Sequence, residues 1–489
     1  MSTETGQTLR TQAVKSAAWY GASRLWGQLV SWAVTILLAR LLVPADYGLF
    51  AMALSVLKVL ELLQEFGLGT AIVQRQNLTR EQTNGVFWVV TATSLVLTGG
   101  TFLAADAISE FYGEARLSGA LQVLCLTFLL NSIGLVPYNL LTRALDLRHR
   151  AMADAMGAAA SALVGLGLAY HGFGVWALLL GHLVRAVVLN GALIIFARWL
   201  PGFRVAREGM RSLVTFGLRI AGMHVMGNMS PAVCTFIVGR LLGGTALGLY
   251  GMAESLAEAP HRISTSIINQ ISFPVFSRLQ DDRDQLASYF LKITKCLALV
   301  SLPAQIGLVL VAPDLVPILL SSKWDGVVLP FQILCVESAV IVISLTATPL
   351  LTALGRGTFL LRGTVVSLVS ISTATFVGAW FGLVGIAVAR LIVMIPLRIG
   401  FLLPCLWTLR LPFGAYLNGI RSPMMSVGVM TVGVLIVQHI FPNAGGVERV
   451  AISAAAGAVA YGTSLYLFDR GLVRDARTIV SDLLSRRSA

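Results

Sequence analysis

The sequence predicts an all-α membrane protein with about fourteen transmembrane helices, built as two repeated six-helix lobes followed by two further helices. Three observations predict this fold class: the composition, the number of long apolar runs, and an internal repeat with a spacing of 200 residues. Of the 489 residues, 56% are hydrophobic and 12% are charged, whereas soluble proteins carry about 25% charged residues. Most of the chain is therefore expected to lie in lipid.

The charge and the cysteines exclude several other classes. A net charge of +13 would suit a nucleic-acid-binding protein, but the basic residues lie in short loops between apolar runs, where they set membrane orientation. No nucleic-acid partner is expected. Lys15 precedes an apolar stretch that continues to Leu42, too long for a cleavable signal peptide. The five cysteines lie in apolar runs without metal-type spacing, which predicts small buried side chains, no metal site and no cofactor.

The spanning helices are predicted from the apolar runs, because crossing a bilayer takes about 20 apolar residues. The fourteen predicted spans are 15–39, 46–68, 84–106, 117–141, 152–170, 174–197, 212–238, 246–275, 288–311, 327–353, 359–380, 383–406, 421–441 and 449–468.

Lysine and arginine are concentrated in alternate loops. One set, which begins with the N-terminus, includes Arg143, Arg148 and Arg150, whereas the other set contains acids such as Asp106 and Glu114. Because cytoplasmic loops carry the excess of basic residues, both termini are predicted to be cytoplasmic, as an even number of helices requires.

The repeat joins "ARLLVPADYGLFAMA", which starts at Ala39, to "GRLLGGTALGLYGMA", which starts at Gly239. Six predicted helices separate the copies, so both have the same orientation, as in a parallel repeat about an axis along the membrane normal. The predicted parts are an N-terminal lobe over 1–200, a C-terminal lobe over 201–411, and helices 13 and 14 with a tail over 412–489. Asp46 and Thr245 are predicted to cap the helix that follows each corner.

Polar and charged side chains recur on one face of predicted helices 1, 2, 7 and 8. An ionisable group in the middle of a spanning helix costs about 2.5–3.5 kcal/mol, so it normally faces a cavity or a partner. Because corresponding helices of both lobes carry such faces, a polar cavity between the lobes is predicted. The predicted substrate-binding residues are Arg24, Gln28, Arg219, His224, Asn228 and Arg262. The residues predicted to balance charge or couple an ion are Lys58, Glu61, Glu65, Glu254 and Glu258.

Several charges have a structural alternative. Lys58 with Glu61, and Glu258 with Arg262, have the spacing of intrahelical ion pairs. Arg40 and its repeat partner lie at predicted helix C-termini, where a cation meets the helix dipole, which predicts an architectural role. Six further charges look isolated within apolar runs: Asp154, Arg185, Lys295, Glu337, Arg390 and Arg398. No catalytic motif or nucleotide site is evident, so an enzyme is not predicted.

The segments "LARLLVPADYGLFAMA", "GLGTAIVQRQNL", "GFGVWALL", "NQISFPVFSRLQDD" and "SSKWDGVVLPFQIL" resemble the polysaccharide-transporter branch of the multidrug/oligosaccharidyl-lipid/polysaccharide exporter superfamily, in particular the Wzx-type flippases of bacterial lipopolysaccharide and exopolysaccharide. The resemblance runs from about residue 10 to 410. It implies a V-shaped, two-lobed protein of the bacterial inner membrane with a cationic cavity lined by helices 1, 2, 7 and 8. Arg24 stands where the family tends to place a cavity cation.

The resemblance also implies a substrate and partners. The substrate would be an undecaprenyl-pyrophosphate-linked oligosaccharide that crosses from the cytoplasmic to the periplasmic leaflet. Membrane lipids, a coupling cation or proton, and a polysaccharide polymerase with export machinery would be further partners. Two alternatives stay open. An ion-coupled multidrug or cation antiporter of the same superfamily would favour a more acidic cavity, and a membrane glycan polymerase or ligase would usually have a large outer loop.

Overall fold

The computed structural model describes residues 31–75, 78–205, 210–442 and 445–469, and within these residues all regular structure is helical. Its contacts divide the chain into two units. Unit 1 consists of Met1–Asn228 with Gly243–Thr245, and unit 2 consists of Met229–Leu242 with Ala246–Ala489. The predicted division at residues 200 and 411 stays a prediction.

The helices are named in chain order. The first eight are α1, described over Ser31–Leu41, α2 (Pro44–Glu65), α3 (Leu68–Gln74), α4 (Arg80–Tyr112), α5 (Arg116–Leu124), α6 (Leu126–Arg143), α7 (Leu147–Tyr170) and α8 (Val175–Ala197). They are followed by α9 (Met210–Arg278), α10 (Arg283–Leu320), α11 (Val328–Ile343), α12 (Ala347–Ala353), α13 (Gly357–Ala379), α14 (Gly382–Thr408), α15 (Phe413–Ile440) and α16 (Gly446–Phe468).

Eleven helical stretches of the described residues are long and apolar enough to cross a membrane. The predicted spans 3–6 and 9–14 each overlap one of them. The chain is thus a polytopic all-α membrane protein, whereas the count of fourteen stays a prediction. Predicted span 1 extends outside the described residues, and α2, which corresponds to span 2, carries Lys58, Glu61 and Glu65 and is not among the eleven.

The predicted corner between helices 7 and 8 lies inside α9. The backbone of Gly243 is non-helical there, with φ 81° and ψ 178°, a conformation that favours glycine because it has no Cβ. The first corner of the repeat has a different cap from the predicted one. Val43 is the N-cap residue of α2, and Asp46 lies three residues later, where its carboxylate accepts a hydrogen bond from the Val43 N–H at 3.4 Å.

Unit 1 has its apolar core where α3, α4 and α6 pack together, around Leu68, Ile72, Val86 and Val136. A polar contact crosses the same unit. The buried Gln64 of α2 donates through Nε2 to Ser94 Oγ of α4 at 2.8 Å and to the Phe128 carbonyl of α6 at 2.7 Å. These bonds fix the rotation of α2, because they hold one face of the helix against two neighbours.

Unit 2 has a core that includes α15. Tyr416 of α15 is fully buried beside Phe290 of α10, with ring centroids 6.1 Å apart.

The α13–α14 hairpin depends on glycine. A Cβ on Gly378 would lie 2.6 Å from the carbonyl oxygen of Gly385, so only a residue without a side chain allows these two backbones to approach so closely.

Candidate functional site

The residues predicted to bind substrate are described only in part. Arg24 and Gln28 lie outside the described residues, as do the side chains of Arg219, His224 and Asn228. Their role therefore stays a prediction. Arg262, the sixth of this set, has a described side chain.

In unit 1, the charged residues of α2 lie away from its packed face. Lys58 and Glu65 are exposed and Glu61 is half-buried, whereas Leu57 and Gln64 are buried. Within the described residues, Lys58 and Glu61 form no ion pair within 4.0 Å. Their spacing along the helix permits an ion pair but does not by itself bring the two charged groups together. A charged row thus runs along the face of α2 that unit 1 leaves uncovered.

In unit 2, the corresponding row lies on the second half of α9. Arg262 Nη2 is 3.0 Å from Glu258 Oε2, in the predicted intrahelical pair, and both side chains are about half exposed. Lys58 and Glu258 stand at equivalent positions of the 200-residue repeat. Charged side chains therefore occupy the same position on related helices of both units.

Two charges that were expected to be isolated, Glu337 and Arg390, form an ion pair with each other, and Glu254 binds the same arginine. Arg390 of α14 donates through Nη1 to Glu254 Oε1 of α9 at 2.9 Å and through Nη2 to Glu337 Oε1 of α11 at 3.1 Å. Its Nη1 also donates to the hydroxyl of Tyr250. We call Tyr250, Glu254, Glu337 and Arg390 the ion cluster of unit 2. It joins three helices, and it contains one of the predicted ion-coupling residues, Glu254.

The ion cluster is deeply buried and is not fully hydrogen-bonded. The side chain of Glu337 is 3% exposed and that of Arg390 13% exposed, whereas that of Glu254 is 36% exposed. Among the residues that the structure describes, the buried atoms Glu337 Oε2 and Arg390 Nε have no hydrogen-bond partner. Next to the cluster, Cys234 Sγ lies 3.3 Å from Thr375 Oγ1.

A third charge expected to be isolated, Lys295 of α10, also has a partner. Its ammonium forms an ion pair with Asp469, at the end of α16, and Asp469 accepts a hydrogen bond from Ser422 Oγ of α15 at 2.7 Å. This contact holds the last two helices to α10. Because Asp469 binds both Lys295 and Ser422, we assign these three residues a structural role.

Sequence reasoning did not find the ion cluster, although it had a usable signal. Glu337 and Arg390 are charges of opposite sign in the middle of apolar runs, and each needs a partner in lipid. Their separation of 53 residues hides the pairing. Within the described residues, no group of three or more His, Cys, Asp or Glu side chains is placed to hold a metal ion.

The chain is similar to known proteins of polysaccharide biosynthesis. The profile of a family described as "Polysaccharide biosynthesis protein" matches residues 37–329. The succinoglycan biosynthesis transport protein ExoT of Rhizobium meliloti is 26% identical over 447 residues, which cover 90% of this chain and 89% of the relative. The lipopolysaccharide biosynthesis protein WzxC of Escherichia coli is 23% identical over 335 residues, which cover 67% of each chain.

Solved structures show the same fold. The lipid II flippase MurJ, in an inward closed conformation, has a TM-score of 0.77 at 12% identity and covers 93% of this chain and 100% of its own. An inward-facing multidrug transporter of the MATE family has a TM-score of 0.63 at 16% identity and covers 78% of this chain and 95% of its own. The prediction of a polytopic all-helical membrane protein is confirmed, and its fold is similar to those of MurJ and of the MATE transporter.

The family profile covers more than half of the chain, and one of the two relatives, ExoT, is named as a transport protein. The chain therefore belongs to the polysaccharide biosynthesis protein family and is a multi-span membrane protein.

Proposed function

We propose that the protein moves undecaprenyl-pyrophosphate-linked oligosaccharide from the cytoplasmic to the periplasmic leaflet of the bacterial inner membrane, with both of its own termini in the cytoplasm. Transport would proceed by alternating access through a polar cavity between the two repeated halves. Family membership supports transport of a lipid-linked sugar. The isoprenoid carrier, the direction and the mechanism are the parts that we propose.

The chemistry of such a substrate demands a polar route. Each sugar hydroxyl that enters hydrocarbon without a hydrogen-bond partner costs several kcal/mol, roughly 4–8 kcal/mol on alkane scales. The isoprenoid tail has no such cost and can stay in lipid. A flippase of this kind therefore needs charged and polar side chains on helix faces that neither lipid nor the core of one unit covers.

The observation that carries the proposal is the charged row on α2 and its counterpart on α9. Lys58 is exposed and Glu258 is about half exposed at equivalent repeat positions, on the faces that their own units leave uncovered. Placing both rows in lipid would cost about 2.5–3.5 kcal/mol for each charge at the centre of the membrane. A shared polar pathway avoids this cost in both units.

The predicted residues other than Lys58 have three kinds of role in this proposal. The guanidinium groups of Arg24, Arg219 and Arg262 would bind the pyrophosphate, because the planar fork of arginine matches its oxygens. Gln28, His224 and Asn228 would hydrogen-bond the sugar hydroxyls. Since a wholly cationic route would retain the pyrophosphate, the acids of the two rows would limit how long it stays bound: Glu61, Glu65, Glu254 and Glu258. Glu254 is also one of the candidates for coupling an ion.

The proposal is tested in a strain that lacks the native gene. The strain is complemented with wild-type protein, with Arg24→Ala, and with Arg116→Ala as a matched control, since Arg116 is an exposed arginine of unit 1 that pairs with Glu114 and lies outside the predicted cavity. Protein abundance, surface polysaccharide, and the leaflet in which the lipid-linked repeat unit resides are measured together.

We expect Arg24→Ala at normal abundance to reduce polysaccharide output by about 10- to 100-fold, as the loss of a charged hydrogen bond of about 1.5–3 kcal/mol implies. The repeat unit should accumulate in the cytoplasmic leaflet, and Arg116→Ala should match wild type. Normal output from Arg24→Ala would remove this residue from the mechanism. Normal polysaccharide in the uncomplemented strain together with altered drug resistance would favour an antiporter, and unjoined repeat units in the periplasmic leaflet would favour a polymerase or ligase.

A further inference from the structure

The ion cluster of unit 2 has more negative charge than its hydrogen bonds neutralise. Two carboxylates, Glu254 and Glu337, share the single guanidinium of Arg390, which lies within 3.1 Å of both. Carboxylates that share one site resist ionising together, because each raises the cost of charge on the other.

The position of the unneutralised charge can be read from the contacts. Glu337 Oε1 accepts a hydrogen bond from Arg390, whereas Glu337 Oε2 is buried and no group of the described residues donates to it. A buried charged oxygen without a partner is costly, and proteins usually remove this cost by protonating the group. Glu254 has a different environment, since its side chain is 36% exposed.

A metal ion is not the natural occupant of this site. The two carboxylates and the hydroxyl of Tyr250 already converge on the Nη atoms of Arg390, a cation that belongs to the chain itself. A second cation among these three oxygens would meet the repulsion of the guanidinium. A proton on Glu337 Oε2 needs no coordination sphere. It makes the carboxyl neutral, so it does not place a second cation beside the guanidinium of Arg390.

An exchangeable proton also requires that the deprotonated state be stable enough to form. Arg398 supplies a partner for that state. It lies two helical turns beyond Arg390 on α14, its charge acts on Glu337, and its Nε donates to the sulfur of Met394 at 3.3 Å. When Oε2 loses its proton, it becomes a charged acceptor toward which this guanidinium can turn.

We infer that Glu337 of the ion cluster is a binding site for one exchangeable proton, held as a neutral carboxylic acid beside Arg390 and released as a carboxylate that pairs with Arg398. The step is Glu337–COOH to Glu337–COO⁻ plus one proton to water, with no change of oxidation state. The groups that set it are Arg390, Arg398 and Glu254, with Tyr250 and Cys234 as the neighbouring titratable groups. That this proton drives substrate movement rests on the proposed function, whereas its presence does not.

The experiment measures the proton directly in purified full-length protein without substrate. Infrared difference spectra are recorded across a pH titration, in which a protonated carboxyl gives a C=O stretching band that its carboxylate lacks. The variants are Glu337→Gln, Glu254→Gln and Arg398→Gln. Glu258→Gln is the matched control, because Glu258 is on α9 one turn after Glu254 but pairs with Arg262. Each sample is also measured in sodium and in potassium chloride.

We expect wild-type protein to show the band at neutral pH and to lose it on alkaline titration, equally in both salts. Glu337→Gln should lose the band, Glu258→Gln should keep it, and Arg398→Gln should shift its disappearance to higher pH. Absence of the band from wild type would overturn the inference without recourse to any variant. The inference would also be overturned if the band persisted in Glu337→Gln or disappeared in Glu254→Gln alone. Removal of the band by sodium at constant pH, or an unshifted titration of the band in Arg398→Gln, would overturn it as well.

This result is independent of the complementation assay. If the wild-type gene does not restore polysaccharide output to the deletion strain but the band behaves as expected, the proton site stands and the proposed function fails. If transport depends on Arg24 but the band is absent, the proposed function stands and the proton site fails.

Discussion

Replacing Arg390 by methionine should destabilise the protein chiefly through the carboxylates that remain. Methionine fills much of the same volume without charge, so the packing of α14 is largely kept. Glu337 then loses the donor to Oε1, and Glu254 loses its ion pair. At pH values where Glu337 is ionised, the variant removes one partner of a buried ion pair, which costs about 3–5 kcal/mol because the other charge stays buried and unpaired.

A double-mutant cycle separates the pair from the rest of the cluster. Glu337→Gln keeps an acceptor oxygen for Arg390 but removes the ionisable carboxyl group. The coupling energy between Arg390→Met and Glu337→Gln should be about 1.5–3 kcal/mol, the range for a hydrogen bond to a charged group. The cost of Arg390→Met should also grow as pH rises, because ionised carboxylates suffer more from the loss of the cation.

The measurement is unfolding of the four purified proteins in detergent by heat or by SDS. Arg262→Met is the control, since Arg262 is an arginine of unit 2 that pairs with a glutamate four residues away, but its side chain is 59% exposed. That variant should cost about 0.3–0.5 kcal/mol. Equal costs for the two arginine variants, or zero coupling in the cycle, would refute the argument that burial makes the cluster important.

Two further predictions concern unit 1. Gln64→Leu removes two hydrogen bonds between helices, and at an average of about 0.6 kcal/mol each in membrane proteins it should lower stability by about 1 kcal/mol in the same unfolding assay; unchanged stability would contradict this. Hydrogen bonds from His149 hold the pKa of the Asp146 carboxyl below its usual range. The ionised carboxylate of Asp146 therefore stabilises the folded protein fully above its ordinary pKa, and this stabilisation is lost as pH falls through the lowered pKa. Asp146→Asn should therefore lower the unfolding temperature at neutral pH and have no effect in strong acid, and an equal effect at both would count against it.

The sequence predicts the parts of the fold that depend on local composition. Long apolar runs identify spans 3–6 and 9–14, and the repeat locates the corner at Gly243 because a glycine pair replaces the proline corner of the first copy. The division of span 4 into α5 and α6 at Cys125 was not predicted. Nothing in the apolar pattern marks this break, which depends on how the two segments pack.

The candidate site is predictable only where partners are close in sequence. Glu258 and Arg262 are four residues apart, and the helix period alone brings them together. Arg390 meets Glu254 and Glu337 across 136 and 53 residues, so its pairing depends on the depth and rotation of three helices. Composition does not encode those quantities, and for this reason charges that form one cluster looked isolated in the sequence.

The contact of Asp469 with Lys295 and Ser422 has a practical consequence for mapping topology. Reporter fusions are often made by truncating a chain after successive helices. A fusion point near residue 411 would remove Tyr416 from the core of unit 2 and leave Lys295 of α10 without its carboxylate. Such a hybrid would report the orientation of a damaged bundle, so the sidedness of this protein should be mapped by single-cysteine labelling in the full-length chain.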